Sequence, residues 1–154
     1  DRTAGIGIAE QQWQSDGTGQ AGSREHRQNM PNKVKTLWES GKAVVNGWLA
    51  IPSGFSAEMM AQCGFDSVTI DLQHGVQDYL SMVQCFQAMQ AHPVTPMVRV
   101  PWNEPGIVGK VLDAGAQGVI CPMVNTRAEA EAFVSACKYP PRGTRSVADS
   151  RSES

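Results

Sequence analysis

The stretch IDLQHGVQDY, residues 70–79, brings Asp71, Gln73 and His74 together at the end of an apolar run. A histidine beside a carboxylate can move protons near neutral pH, since its unperturbed pKa is about 6.5. The same histidine can also be a loop residue whose hydrogen bonds are already satisfied. A second chemical group stands in TPMVRVPWNE, where Arg99 lies inside an apolar strand pattern. An unpaired guanidinium there costs several kcal/mol, so it requires an anion. That anion is either a substrate carboxylate held by two parallel hydrogen bonds, or a protein carboxylate such as Asp71 or Glu58. Asp71 ends its strand and is better placed to orient His74 or Arg99 than to react. For Trp48 and Trp102 the plainer reading is packing in the core or along a wall. Gln73 is a neutral amide where a carboxylate would serve a cation, and no His/Asp/Glu grouping has ligand spacing. No residue of the chain is therefore assigned to a metal.

These residues need elements to position them. From Ala43 onward, apolar strand patterns alternate with amphipathic helical ones: AVVNGWLA, DSVTIDL, TPMVRV and GVICPMV each precede a helix. The expected helices run over Phe55–Cys63, from Asp78 to about Gln90, from Pro105 to Gly115, and from the capping box Thr126–Glu129 to about Lys138. On the second of these, Leu80, Val83, Phe86 and Met89 are expected to share one face. A shorter lead-in helix, capped by Asn32 and closed by Gly41, carries Val34, Leu37 and Trp38. Four apolar strands alternating with four helices indicate an α/β fold with a buried parallel sheet. Right-handed crossovers then gather the segments PSG, QHG, PWN and PMVN at the C-terminal ends of the strands, the face that carries the active site of a (β/α)-barrel. Pro52, Gly54, Pro101 and Pro122 in those segments read as turn chemistry.

Residues 1–28, rich in Gly, Ser, Gln and charge, read as a disordered leader ahead of one domain over 29–146. With 13 Lys and Arg against 15 Asp and Glu, the net charge of −2 gives no footprint for nucleic acid or an anionic membrane. The sequence shows neither a membrane-spanning run nor the order of a signal peptide, so a cytoplasmic location is expected. The four cysteines, Cys63, Cys85, Cys121 and Cys137, lack the close spacing of zinc sites and read as reduced thiols.

Two long segments, NGWLAIPSGFSAEMMAQCGFDSVTIDLQHG and TPMVRVPWNEPGIVGKVLDAGAQGVICPMVNTRAEAEAFVSACKYPPRGTRS, closely resemble the HpcH/HpaI aldolase family. This family of class II pyruvate aldolases includes 4-hydroxy-2-oxoheptanedioate aldolase and 2-keto-3-deoxy-L-rhamnonate aldolase, and the resemblance runs from Asn32 to Ser146. It implies a (β/α)8 TIM barrel, of which this chain carries about the first four βα units. It also implies a carbon–carbon lyase that cleaves a 4-hydroxy-2-oxo acid to pyruvate and an aldehyde, through an enolate held on a divalent cation (Mg, Mn or Co). On this resemblance His74 takes part in proton transfer and Arg99 stabilises the enolate oxygen, with Asp71, Gln73 and Trp48 in support. Gln73 stands where the family often has Glu. The family's metal-binding Glu and Asp belong to the half of the barrel beyond Ser146 and match no residue here. Full-length members are expected to be homo-oligomers. Residues 147–154 depart from the family pattern as a polar tail, and a shifted frame or early stop after Ser146, with an upstream start before residue 29, is the expected origin of both ends. The chain is thus expected to be inactive alone. The competing expectation is a non-catalytic half-barrel, acting through its strand edges as an oligomerising or binding module.

Overall fold

The computed structural model of the chain describes residues 6–7 and 32–147. The leader expected over 1–28 lies outside the described residues except at Ile6–Gly7, as does the tail beyond Val147. The elements in order are β1 (Ile6–Gly7), α1 (Lys33–Glu39), β2 (Asn46–Leu49), α2 (Gly54–Gln62), β3 (Ser67–Asp71), α3 (Tyr79–Met89), β4 (Thr95–Arg99), α4 (Pro105–Asp113), β5 (Gly118–Ile120) and α5 (Arg127–Cys137). Strands β2 to β5 are parallel and adjacent in chain order, the winding of a (β/α)-barrel. Ile6–Gly7 pairs antiparallel with β5 at the sheet's edge.

The helices start where side chains can satisfy their free N–H groups. Asn32, Ser53, Asp78, Glu104 and Thr126 each accept from a first-turn amide, and Pro105 fills a position that needs no donor. The expected box at Thr126–Glu129 forms, and so does a second one at Asp78–Ser81. Two strands are shorter than their apolar patterns. Before β2, the Val45 N–H donates to the Asp66 carboxylate (2.9 Å) rather than along a strand ladder. After β5, Pro122 has no N–H to give and Met123 turns to φ 58°, so the ladder ends at Ile120.

Strand register sorts the side chains into two faces. Leu49, Ile70, Val98 and Val119 lie side by side across the sheet, all buried beneath the helices. Each such side chain contributes about 1.5–3 kcal/mol on burial, so this face dominates the stability of the sheet. From α3 the core receives Met82, Cys85, Phe86 and Met89. Leu80, expected on that face, is 68% exposed instead. A strict three-residue spacing rotates about 60° per step around a helix of 3.6 residues per turn, so 82, 85, 86 and 89 hold the stripe and Leu80 drifts off it.

The opposite, concave face is mixed, with Met97, Gly118 and Ile120 among its polar residues. Asn46, Ser67 and Thr95 share one row, Trp48, Thr69 and Met97 the next row on this face, and Asp71 lies beside Arg99 four residues beyond the first. Asn46 Oδ1 accepts from Ser67 Oγ (2.8 Å) and Thr69 Oγ1 (2.9 Å). Helix α1 closes the N-terminal end of the sheet: Asn32 donates to the Gln117 carbonyl (2.9 Å), and Lys33 pairs with Asp66 at 2.9 Å. All four cysteines are free thiols, with Cys63 exposed and the others buried. Burial raises the Cys121 and Cys137 thiols to about 11, which keeps them protonated and unreactive at neutral pH.

Candidate active site

Asp71 is the last residue of β3, and the parallel register places it directly beside Arg99, the last residue of β4. Its side chain is 4% exposed and that of Arg99 is 23% exposed. Arg99 Nε donates to Asp71 Oδ1 at 2.9 Å while its Nη2 donates to Oδ2, a two-point pair along one edge of the guanidinium. Of the two carboxylates that could have met Arg99, the structure pairs it with Asp71 and not with Glu58.

Three more donors converge on the same carboxylate. The indole Nε1–H of Trp48 reaches Oδ2 at 3.1 Å, and the backbone N–H groups of Gln73 and His74 reach Oδ1 at 3.0 and 3.2 Å. Burial alone would raise the pKa of this carboxyl. The hydrogen bonds from Arg99, then Trp48, then the two backbone amides outweigh it and hold the carboxyl at about 2. Asp71 is therefore an anion at any working pH.

Of the readings weighed for Trp48, packing in the core is excluded. Trp48 is 44% exposed, on the concave face of β2, with the Arg99 Cζ 4.8 Å from its ring centroid. Trp102, on the loop after β4, is exposed as well. Packing in the core or along a wall is the plainer reading of both from sequence, and the resemblance sets Trp48 in support of the site. The strand position of Trp48 puts it on the face opposite Leu49, and Trp102 lies on the loop after β4.

His74 sits on the exposed loop after β3, turned there by Asp71 acting on its backbone and by Gly75 at φ 92°. Gln73 gives the hub its backbone N–H rather than its side-chain amide. Neighbouring loops are tied across the same rim. Gln77 Nε2 donates to the Ile51 carbonyl (2.7 Å), and Asn103 Nδ2 donates to the Glu129 carbonyl (3.0 Å). The structure thus brings Trp48, Asp71 and Arg99 into direct contact and joins His74 and Gln73 to them through the backbone.

A divalent cation does not fit these residues. Among the described residues no group of three or more His, Cys, Asp or Glu could hold a metal ion. Asp71, the carboxylate nearest the strand ends, has both oxygens engaged by other donors.

The sequence pattern of the HpcH/HpaI aldolase/citrate lyase family matches residues 47–152, more than half of the chain. The chain belongs to that family. It is 43% identical over 120 residues to a hydroxypyruvate/pyruvate aldolase of Rhizorhabdus wittichii, covering 78% of this chain and 48% of that protein. It is also 36% identical over 118 residues to a 4-hydroxy-2-oxo-heptane-1,7-dioate aldolase of Salmonella dublin, covering 77% of this chain and 45% of the relative. A crystal structure of an HpcH/HpaI aldolase/citrate lyase family protein from Burkholderia cenocepacia superposes with a TM-score of 0.74 at 33% identity, over 79% of this chain and 50% of that one. The chain spans about half the length of the curated relatives it matches. The four parallel strands with their helices are accordingly a partial TIM barrel, and the family is one of aldolases and lyases.

Proposed function

We propose that this chain supplies the N-terminal half of the active site of a cytoplasmic carbon–carbon lyase, which cleaves a 4-hydroxy-2-oxo acid to pyruvate and an aldehyde. The observation that carries the reading is Arg99. Asp71 occupies one edge of its guanidinium, and a guanidinium has five N–H donors in a planar fork. The Nη1 end remains for a second pair of oxygens, beside the strand ends where barrel enzymes bind substrate. A 2-oxo acid presents such a pair in its carboxylate and neighbouring carbonyl.

In the cleavage, a base removes the proton of the C4 hydroxyl. The C3–C4 bond breaks, C4 leaves as the aldehyde carbonyl, and the bonding electrons pass into the enolate of pyruvate. A proton returned to C3 completes the reaction. His74 is the group assigned to proton transfer, on the rim next to Asp71. Arg99 faces the charge that develops on the C2 oxygen, which a fixed donor stabilises more in the transition state than in the ground state. The family-level expectation of a divalent cation stands without ligands among the described residues, and no step here is assigned to it. Homo-oligomerisation is proposed for the complete barrel on the same family grounds.

The test joins this chain to the C-terminal half of the Rhizorhabdus wittichii relative and measures pyruvate release. His74→Ala should lower turnover by roughly 10²–10⁴-fold, the usual worth of a positioned base. A joined barrel that folds but releases no pyruvate, or a His74→Ala form with unchanged turnover, would refute the assignment.

A second reading has one observation in its favour. Among the described residues the outer edge of β2 has no partner strand, which is the form of a binding surface. A chain that forms stable oligomers by size-exclusion chromatography, while adding no pyruvate release to any complementing half, would favour this non-catalytic module.

A further inference from the structure

The Asp71–Arg99 pair leaves one question open: what sets the tilt of the guanidinium. A two-point ion pair makes the two groups coplanar, but the shared plane can still pivot on the long arginine stem. Trp48 meets both members of the pair. Its ring lies under Arg99, with Cζ 4.8 Å from the centroid, and its Nε1–H holds Asp71 Oδ2 at 3.1 Å. The three contacts close a loop, Trp48 to Asp71 to Arg99 and back to Trp48. The indole is itself fixed by the carboxylate that it helps to fix.

Register shows why the tryptophan reaches. Trp48 is level with Thr69, two residues short of the Asp71–Arg99 row, so its long side chain leans toward the strand ends to meet them. A residue whose task was core packing would lie on the face with Leu49, which is buried under the helices. Trp48 points the other way and remains nearly half exposed. Its contacts are with the functional pair rather than with the core.

We propose that Trp48 is the positioning residue of Arg99, fixing the plane of the guanidinium so that its Nη1 end faces the barrel mouth in one orientation. This rests on the reading of Arg99 as the oxyanion-binding group and adds the residue that aims it. Asp71 supplies the opposite charge. Trp48 supplies the direction.

The experiment compares Trp48→Phe, which keeps an aromatic face but loses the N–H, with Trp48→Leu, which loses both. Hydrogen exchange of the Arg99 Nε–H is followed by NMR in the full chain, with the Val68 and Val98 backbone amides as references. Trp48→Leu should speed Nε–H exchange at least about fivefold relative to those references, and Trp48→Phe should retain most of the protection, since the ring face makes the cation–π contact. Unchanged Nε–H exchange in Trp48→Leu would overturn the proposal, because Asp71 alone would then hold Arg99. Equal acceleration at Nε–H, Val68 and Val98 would also overturn it, by showing only a general loss of stability. The measurement needs no turnover, so a joined barrel without pyruvate release would refute the lyase assignment while leaving this result to stand or fall separately.

Discussion

Replacing Asp71 by Asn tests whether this carboxylate organises the strand ends. The folded-state pKa of Asp71 is about 2, against an ordinary 3.8. As pH falls, the unfolded chain therefore takes up the proton first. The stability that Asp71 contributes is complete well above pH 4, falls to about half near pH 3, and is nearly gone at pH 2. A depression of this size corresponds to about 2 kcal/mol. Asp71→Asn also leaves Arg99 facing an amide rather than a charge. Breaking a fully buried pair costs about 3–5 kcal/mol, and Arg99 is open on one side, so a loss of about 2–3 kcal/mol at pH 7 is expected. The assay is urea unfolding of both proteins by circular dichroism at pH 7, 5, 3 and 2.5. Asp66, Asp78, Glu104 and Glu129 also have lowered pKa values, chiefly from backbone hydrogen bonds, but they are common to both proteins and cancel in the difference. The gap should shrink steadily below pH 4. A gap that stays constant from pH 7 to pH 2.5 would show that the Asp71 charge does not hold Arg99, and the proposed site would lose its centre.

In the joined barrel, Arg99→Lys keeps the charge but loses the planar fork, and activity should fall about tenfold or more; a less stable protein with normal turnover would make Arg99 purely structural. Gly143→Ala should cost at least about 2 kcal/mol by thermal unfolding, because a Cβ would stand 2.3 Å from the Ser135 carbonyl oxygen and 2.4 Å from that of Lys138, and backbone cannot easily yield. Gly109→Ala should do the reverse, raising stability by about 0.5–1 kcal/mol, since it lies within α4 and its added Cβ would meet nothing within 4 Å. At the sheet edge, Val100 N–H donates to the Ile120 carbonyl, so the alternate residue Val119 turns its peptide groups outward, opposite Gly7. Gly7→Pro removes a donor there, and hydrogen exchange at the Val119 amide should quicken while Val98 is unaffected; no change would mean that the Ile6–Gly7 strand does not protect that edge.

The parallel α/β architecture was readable because the signals that set it are local. Apolar runs followed by Ser53, Asp78, Glu104 or Thr126 mark a strand and then a capped helix, whatever the tertiary context. Strand limits were less legible. They depend on partners distant in sequence, such as the Asp66 carboxylate that takes the Val45 amide. Leu80 shows a related limit: counting apolar residues at a spacing of three follows a stripe that drifts, and only the pair of spacings three and four stays in register with the helix.

The site was half legible for a reason that lies in strand parity. Reading β3 and β4 as continuous apolar runs hides the fact that every second residue of SVTID is polar, and that Thr95 and Arg99 share their parity on β4 with the buried Met97 between them. Alternation of period two assigns Ser67, Thr69, Asp71, Thr95 and Arg99 to one face and Val68, Ile70 and Val98 to the other. Extended one strand back, that parity puts Asn46 and Trp48 on the same face, in agreement with the supporting place the resemblance gives Trp48. What parity cannot supply is the pairing itself. That Asp71 and not Glu58 meets Arg99 follows from parallel register, in which the ends of β3 and β4 are level, while Glu58 belongs to α2 in the other layer. On this face the carboxylate that takes the most donors is Asp71, which receives the Trp48 indole, the Gln73 and His74 backbone amides and two guanidinium N–H groups, and so fixes Arg99.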